Sequence, residues 1–451
     1  MSQNNTTSRT YAASLIVILK YGYRWLMLTI PLAACIGSVV ALFLWLLSVA
    51  ILFRFHHTWL LYLLPLAGIG IHFSYKLYGK SSEKGNNLII DEIHLPGAGV
   101  PKQMGPLILF TTVITHLFGG SAGREGTAVQ IGGSLANAFG SWYKLDTANM
   151  QTILTAGIAA SFGAVFGTPL AGAIFAMEVL TIGRINCKPW FPCLIAGFIG
   201  NLTVSAWHVK HTAYHIDYVA AGLSGDSGSI MALLFLLLKI LASSVLFGLV
   251  GTAFAETTHI IRKTFLKMFK QRWLIPVLGG LIIIVLTFIV GKPDYLSLGI
   301  EPEYPGAITI VSAFQHHGAD AFSWFWKFIY TTITLGTGFK GGEVTPLFYI
   351  GATLGNTLAG LMNAPVSLFA ALGFIAVFSG ATNTPLACTV MGAELFGPEH
   401  LLLFAVACFT SYFFSGRSGI YTSQLNGAAL LLHGNKKLYL KEKLLKYKIR
   451  L

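Results

Sequence analysis

Two glycine-rich runs carry the residues best suited to chemistry. The first, Gly119-Gly120-Ser121-Ala122-Gly123-Arg124-Glu125-Gly126-Thr127, sets an acid at the mouth of a turn that precedes an apolar stretch. Glycines permit positive φ and let successive N–H groups converge, and a helix start adds partial positive charge, so the pattern suits an anion. Glu125 is the nearest anion able to fill such a nest. A carboxylate that yields its place when protonated would be both a gate and a proton carrier. The bland reading is a tight turn packing two helices. A second run weakens it: Gly336-Thr337-Gly338-Phe339-Lys340-Gly341-Gly342-Glu343-Val344-Thr345-Pro346 repeats the design, with proline placed for a first helical turn. Neither run has the Gly-Lys-Ser/Thr ending of a nucleotide phosphate loop.

The elements that position these loops must lie in a bilayer. Of 451 residues, 54% are hydrophobic and 10% charged, where a soluble domain carries about a quarter charged. The uncharged run from Val344 to Ala393 is fifty residues long, and Pro346, Pro365 and Pro385 are expected to cut it into helices of fifteen to twenty. Helices that stop part-way through a membrane persist where their ends face one another or a solute. The fold class expected is an all-α polytopic membrane protein. Its organisation reads as a cytoplasmic segment 1–24, one membrane transport domain 25–435 in two related halves of about 25–225 and 226–435, and a basic cytoplasmic tail 436–451. That tail holds seven basic residues and one acid within a net charge of +13. With Arg9, Lys20 and Arg24 it favours both termini inside, and it suits a lipid surface better than nucleic acid. The five cysteines are scattered and lack metal-ligand spacing, so neither a disulfide framework nor a metal site is expected, and no cofactor is expected either.

An internal repeat supports the two halves. Thr168-Pro169-Leu170-Ala171, followed by Glu178, returns 216 residues later as Thr384-Pro385-Leu386-Ala387, followed by Glu394. Glu125-Gly126-Thr127 returns 218 residues later as Glu343-Val344-Thr345. Four of the 17 acids thus stand in repeat-related, weakly charged surroundings. An ionised carboxylate at the bilayer centre costs several kcal/mol, so each must be paired, hydrated or protonated. For Glu178 and Glu394 the alternatives are balanced: a transport role, or a carboxylate that accepts backbone N–H bonds at a helix end.

At these residues the chain resembles the CLC family of anion channels and anion/proton exchangers. Gly123-Arg124-Glu125-Gly126 is similar to the family's Gly-Arg-Glu-Gly-Pro motif, Pro169-Leu170-Ala171-Gly172 to its Pro-Leu-Ala-Gly segment, and Gly341 to Pro346 lies where it has Gly-x-Phe-x-Pro. The resemblance implies a homodimer, an inverted repeat of many short tilted helices, and Glu125 as the external gate. Three departures, Thr127, Glu343 and Gly85-Asn86-Asn87-Leu88-Ile89 in place of Gly-Ser-Gly-Ile-Pro, resemble the bacterial fluoride/proton antiporter branch. Carried over residue by residue, the resemblance implies an anion path lined by Asn86, Gly123, Arg124, Gly126, Val344, Thr345 and Tyr421, with Glu343 taking part in proton coupling. Val179 falls where chloride/proton exchangers often keep an internal glutamate, so the inward proton route must differ from theirs.

The function implied is export of cytoplasmic fluoride in exchange for protons across the bacterial inner membrane. This is a secondary transporter and not an enzyme, with fluoride, protons and lipid as its partners. A chloride channel or chloride/proton exchanger on the same fold is the alternative. Asn86 could instead cap the helix behind it, and Tyr421 could be an interfacial anchor. A distant third reading is an intramembrane serine hydrolase, on Gly119-Gly120-Ser121-Ala122-Gly123 and on Ser418 with His433.

Overall fold

The computed structural model describes residues 2–218 and 227–427. The basic tail expected at 436–451, and His433, lie outside the described residues. Fifteen α-helices occur among those described: α1 (Ser2–His56), α2 (Leu64–Ser74), α3 (Asn86–His94), α4 (Met104–Leu117), α5 (Glu125–Trp142), α6 (Thr147–Phe166), α7 (Pro169–Glu178), α8 (Trp190–Ala206), α9 (Ser227–Met268), α10 (Leu274–Val290), α11 (Ser323–Gly336), α12 (Val344–Met362), α13 (Val366–Thr382), α14 (Pro385–Phe396) and α15 (Leu401–Ser415). A two-residue parallel pair, β1 (Thr181–Ile182) with β2 (Leu425–Asn426), ties the segment after α7 to the end of the described chain.

The breaks follow local chemistry. Pro169 and Pro385 open α7 and α14 at a position whose missing N–H costs nothing, and Gly167 in the left-handed region closes α6. Asn363 and Asn383 play that closing role after α12 and α13. Pro346 lies in the first turn of α12, the place its position after the glycine loop predicts. The long apolar run divides where expected at Pro365, the N-cap of α13, and Pro385, the first residue of α14, each just after an asparagine in the left-handed region, Asn363 and Asn383.

Four helical stretches among the described residues are long and apolar enough to cross a membrane. Others are short: α7 has 10 residues and α14 has 12. At 1.5 Å per residue these reach about 15–18 Å, half of a hydrocarbon core of about 30 Å, so their ends need internal partners. They supply one another. Glu178, the last residue of α7, accepts N–H bonds from Leu386 (3.0 Å) and Ala387 (2.8 Å) at the start of α14. Glu394, near the end of α14, accepts from Leu170 (2.9 Å) and Ala171 (2.8 Å) at the start of α7. This geometry requires the two helices to lie side by side and antiparallel, so the repeat reverses direction between halves. It also resolves the balanced reading of both glutamates in favour of helix-end carboxylates that face positive dipole ends.

The core is built from close backbone approaches. Every residue of α13 from Val366 to Thr382 is buried, while α9 and α10 expose Leu238, Leu249, Phe288 and Ile289. Between α12 and α13, a methyl placed on Gly351 would overlap the carbonyl oxygen of Gly373, and one placed on Gly373 would overlap that of Gly351. Small residues at such crossings let dispersion act over a long contact where lipid offers no hydrophobic driving force. Gly360, on the same helix, would meet nothing within 4 Å. Gly351→Ala is therefore expected to destabilise the fold by about 1–3 kcal/mol through overpacking. Gly360→Ala is neutral or slightly stabilising. Thermal midpoints of the two purified variants check this, and equal midpoints would contradict it.

Candidate functional site

The two glycine loops meet. Gly123 and Gly342 form an antiparallel bridge in which each N–H donates to the other's carbonyl, at 2.6 and 2.7 Å. The approach demands glycine on both sides. A methyl on Gly342 would lie 2.7 Å from Gly126 N, and one on Gly123 would lie 2.9 Å from a Glu125 carboxylate oxygen. The bridge thereby brings the first turns of α5 and α12 to one point.

At that point sits the Glu125 carboxylate, only 1% exposed. Its Oε2 accepts N–H bonds from Thr345 (3.0 Å) and from Arg124 (3.1 Å), and its Oε1 accepts from the Thr345 hydroxyl. Arg124 Nε stands 3.6 Å from Oε1. Burying a carboxylate costs several kcal/mol, whereas hydrogen bonds to a charged group return roughly 1.5–3 kcal/mol each. Three such bonds and a neighbouring guanidinium are enough to hold the ion. The donors around the carboxylate are Arg124 and Thr345, not the glycines: the N–H groups of Gly119, Gly120, Gly123 and Gly342 are spent on backbone carbonyls, and the glycines serve the close approach of the two loops. Beside it is a cavity of about 20 Å³, lined by Arg124, Glu125, Thr345, Phe348 and Phe374 with His211 and Tyr214. A larger one of about 90 Å³, lined by Arg54, Arg124, Lys210, Glu301 and Glu303, shares Arg124 with it.

Asn86 and Glu343 converge on the other face of the same turn. A methyl on Gly126 would lie 3.1 Å from Asn86 Nδ2 and 3.5 Å from Glu343 Oε2. Asn86 is the first residue of α3, behind Gly85 at φ +60°, and α3 has no side-chain cap bond. Its Oδ1 is buried without a hydrogen-bond partner. That geometry does not fit the capping alternative. Val344, 1% exposed, and Thr345 open α12, of which Glu343 is the N-cap residue.

Tyr421 is 6% exposed, with its ring edge against Phe175 at 6.4 Å. It lines a more open cavity of about 350 Å³ with Glu256, His259 and Arg417. The expected residues thus divide between three stations: Glu125 with Gly123, Arg124 and Thr345; Asn86 and Glu343 around Gly126; and Tyr421 at an open mouth. Val179 follows α7, and its N–H is spent on Phe175 O.

Several contributors had no sequence signal. Phe348 stacks on Phe374 at 3.9 Å and forms an apolar wall near Glu125. Arg54 pairs with Glu303 at 2.8 Å across 249 residues and borders the 90 Å³ cavity. The hydrolase reading fails. Ser121 is fully buried, its hydroxyl is bonded to that of Thr331 at 2.9 Å, and no strand leads into it to make an elbow. Ser418 donates to the Glu256 carboxylate.

Comparison with known proteins agrees with this geometry. The family profile described as voltage gated chloride channel matches residues 67–416. A chloride/fluoride channel protein of Pseudomonas syringae pv. tomato is 45% identical over 414 residues, covering 91% of this chain and 88% of that protein. The solved structure of a CLC-type fluoride/proton antiporter superimposes with a TM-score of 0.82 at 32% identity, over 90% of this chain and 98% of that one. A slow cyanobacterial chloride/proton antiporter shares the fold, with a TM-score of 0.73 at 18% identity, over 88% and 96% of the two chains.

Thr345→Val removes the hydroxyl and leaves the amide in place. Halide affinity of the purified protein, measured by calorimetry, is expected to fall roughly tenfold, the worth of about one charge-assisted hydrogen bond. Thr345→Ser should retain it. Equal affinity in all three proteins would remove the hydroxyl from the anion path.

Proposed function

The chain belongs to the CLC family and is an anion transporter of that family in a multi-pass membrane fold; from this we propose that it is a fluoride/proton antiporter, exporting cytoplasmic fluoride in exchange for protons. The observation that carries the proposal is the Glu125 carboxylate held by Thr345 and Arg124 in a nest of helix-start donors. Protonation removes the negative charge that holds it there. A fluoride then takes the donors, and the return of the ionised carboxylate expels the halide. One acid thereby serves both ions, and no cofactor is required.

Fluoride is favoured over chloride by three features. The relatives at 45% and 32% identity carry fluoride in their descriptions. Glu343 adds a second carboxylate beside Gly126, where it can pass a proton toward Glu125. Asn86 presents an amide there in place of a hydroxyl, and a small, strongly hydrated ion needs close donors to replace its water. Tyr421 closes the path at the open mouth. That mouth faces the cytoplasm, since its wall residues Glu256 and His259 lie toward the end of α9 that leads to Lys263, Lys267, Lys270 and Arg272. On the same rule the proposal places both termini in the cytoplasm, and it takes the bilayer to be a bacterial inner membrane because the relative at 45% identity is bacterial. A homodimer with one path per subunit completes the proposal, within the domain limits expected from the sequence.

The alternative is chloride transport on the same fold, as in the cyanobacterial neighbour described above. Liposomes holding the purified protein separate the two under an imposed halide gradient. An outward fluoride gradient is expected to drive proton uptake, and an equal chloride gradient to drive far less. Glu125→Gln is expected to abolish proton movement, and Asn86→Ser to relax discrimination toward chloride. Equal chloride-driven proton uptake would reject fluoride specificity. Fluoride-driven uptake surviving in Glu125→Gln would remove Glu125 from the mechanism.

A further inference from the structure

A cavity of about 140 Å³ lies apart from the anion path, between α2, the C-terminal end of α9, the start of α10 and the loop that leads into α12. Three cations line it from three separate elements: Lys340 in the loop, Arg262 on α9 and Arg272 before α10. His72, Tyr75 and Glu83 complete its titratable lining. Among the described residues, ion pairs join Arg54 to Glu303, Lys84 to Asp91, Arg124 to Glu125 and Lys292 to Asp320; none of the three cations has a carboxylate within 4.0 Å. The Lys340 ammonium instead stands over the Tyr75 ring, 4.1 Å from its centroid. Arg262 and Arg272 are exposed and Lys340 is half-buried, so their mutual repulsion is moderate, and a multivalent anion among them would be attracted by all three. Three cations thus face one lining acid, Glu83, which leaves an excess of positive charge at the cavity.

The form of the donors indicates which anion. Two guanidinium forks and an ammonium, spread around 140 Å³, suit a tetrahedral oxyanion with several acceptor oxygens better than a monatomic halide. The residue types around it suit headgroup depth. Arg272 precedes Trp273, which is 37% exposed, and the chain next to the lining residues carries exposed Phe73, Leu77, Tyr78 and Met268 with Lys76 and Lys267. Aromatic residues and lysines in that mixture mark a membrane interface. We propose that this cavity binds a phosphate group, supplied by an anionic lipid headgroup or by free phosphate, held by Arg262, Arg272 and Lys340. Lys340 is three residues before Glu343, so the bound phosphate would also brace the loop that sets the N-cap of α12.

The test has two arms on the full-length purified protein. In the first, native mass spectrometry compares retention of phosphatidylglycerol with that of phosphatidylcholine. In the second, thermal midpoints are compared in sodium phosphate and in sodium gluconate of equal ionic strength. Selective retention of phosphatidylglycerol, weakened more than about tenfold in the Arg262→Gln/Arg272→Gln variant, supports the site with a lipid headgroup as the source. A midpoint raised by phosphate and lost in that variant, without lipid preference, supports it with free phosphate as the source. Lys340→Met, which keeps both arginines, should weaken binding as well and serves if the double variant does not fold. No preference in either arm, or a preference that the variants retain, would overturn the proposal.

Discussion

The structure depends on keeping one negative charge inside a membrane protein without losing its solvation. Glu125 is 1% exposed, and its two carboxylate oxygens take hydrogen bonds from Thr345 N–H, the Thr345 hydroxyl and Arg124 N–H. Water is replaced by fixed donors at two helix starts, and those donors are indifferent to whether the anion is a side chain or an ion from solution. In the proposed mechanism that indifference is what permits exchange. A site that recognised only a carboxylate would be a cap; one that recognised only a halide would need another way to couple protons.

The rest of the fold keeps those two helix starts together. The Gly123–Gly342 bridge fixes their separation, and residues from equivalent loops of the two halves contribute to it. The same relation is expressed again in α7 and α14, whose glutamates cap one another's first turns. In both places short helices ending inside the membrane, which would be costly alone, satisfy each other. The tight α12–α13 crossing at Gly351 and Gly373 supports the α12 side of the nest from behind.

Much of this was legible in the chain because it is encoded locally. Consecutive glycines before an apolar run, a proline in a first turn and a motif returning after 216 residues are sequence patterns with direct backbone consequences. What was hidden depends on partners far away in the chain. Glu178 finds its acceptor role on residues 208 and 209 positions distant, so its own neighbourhood left a cap and a transport role evenly matched. The Arg54–Glu303 pair and the Phe348–Phe374 stack belong to packing, not to spacing. The β1–β2 pair is too short for any period to show. The prolines were legible as helix starts, whereas the left-handed Asn363 and Asn383 that close the preceding helices gave no comparable signal.

The central claim is that halide and ionised Glu125 exclude one another from one set of donors. Calorimetric titration of the purified protein with fluoride, in buffers of differing ionisation enthalpy, counts the protons taken up with each ion bound. Uptake of protons, with affinity rising as pH falls and both effects lost in Glu125→Gln, is the result the account predicts. Fluoride binding that takes up no proton and keeps the same affinity across pH would contradict it.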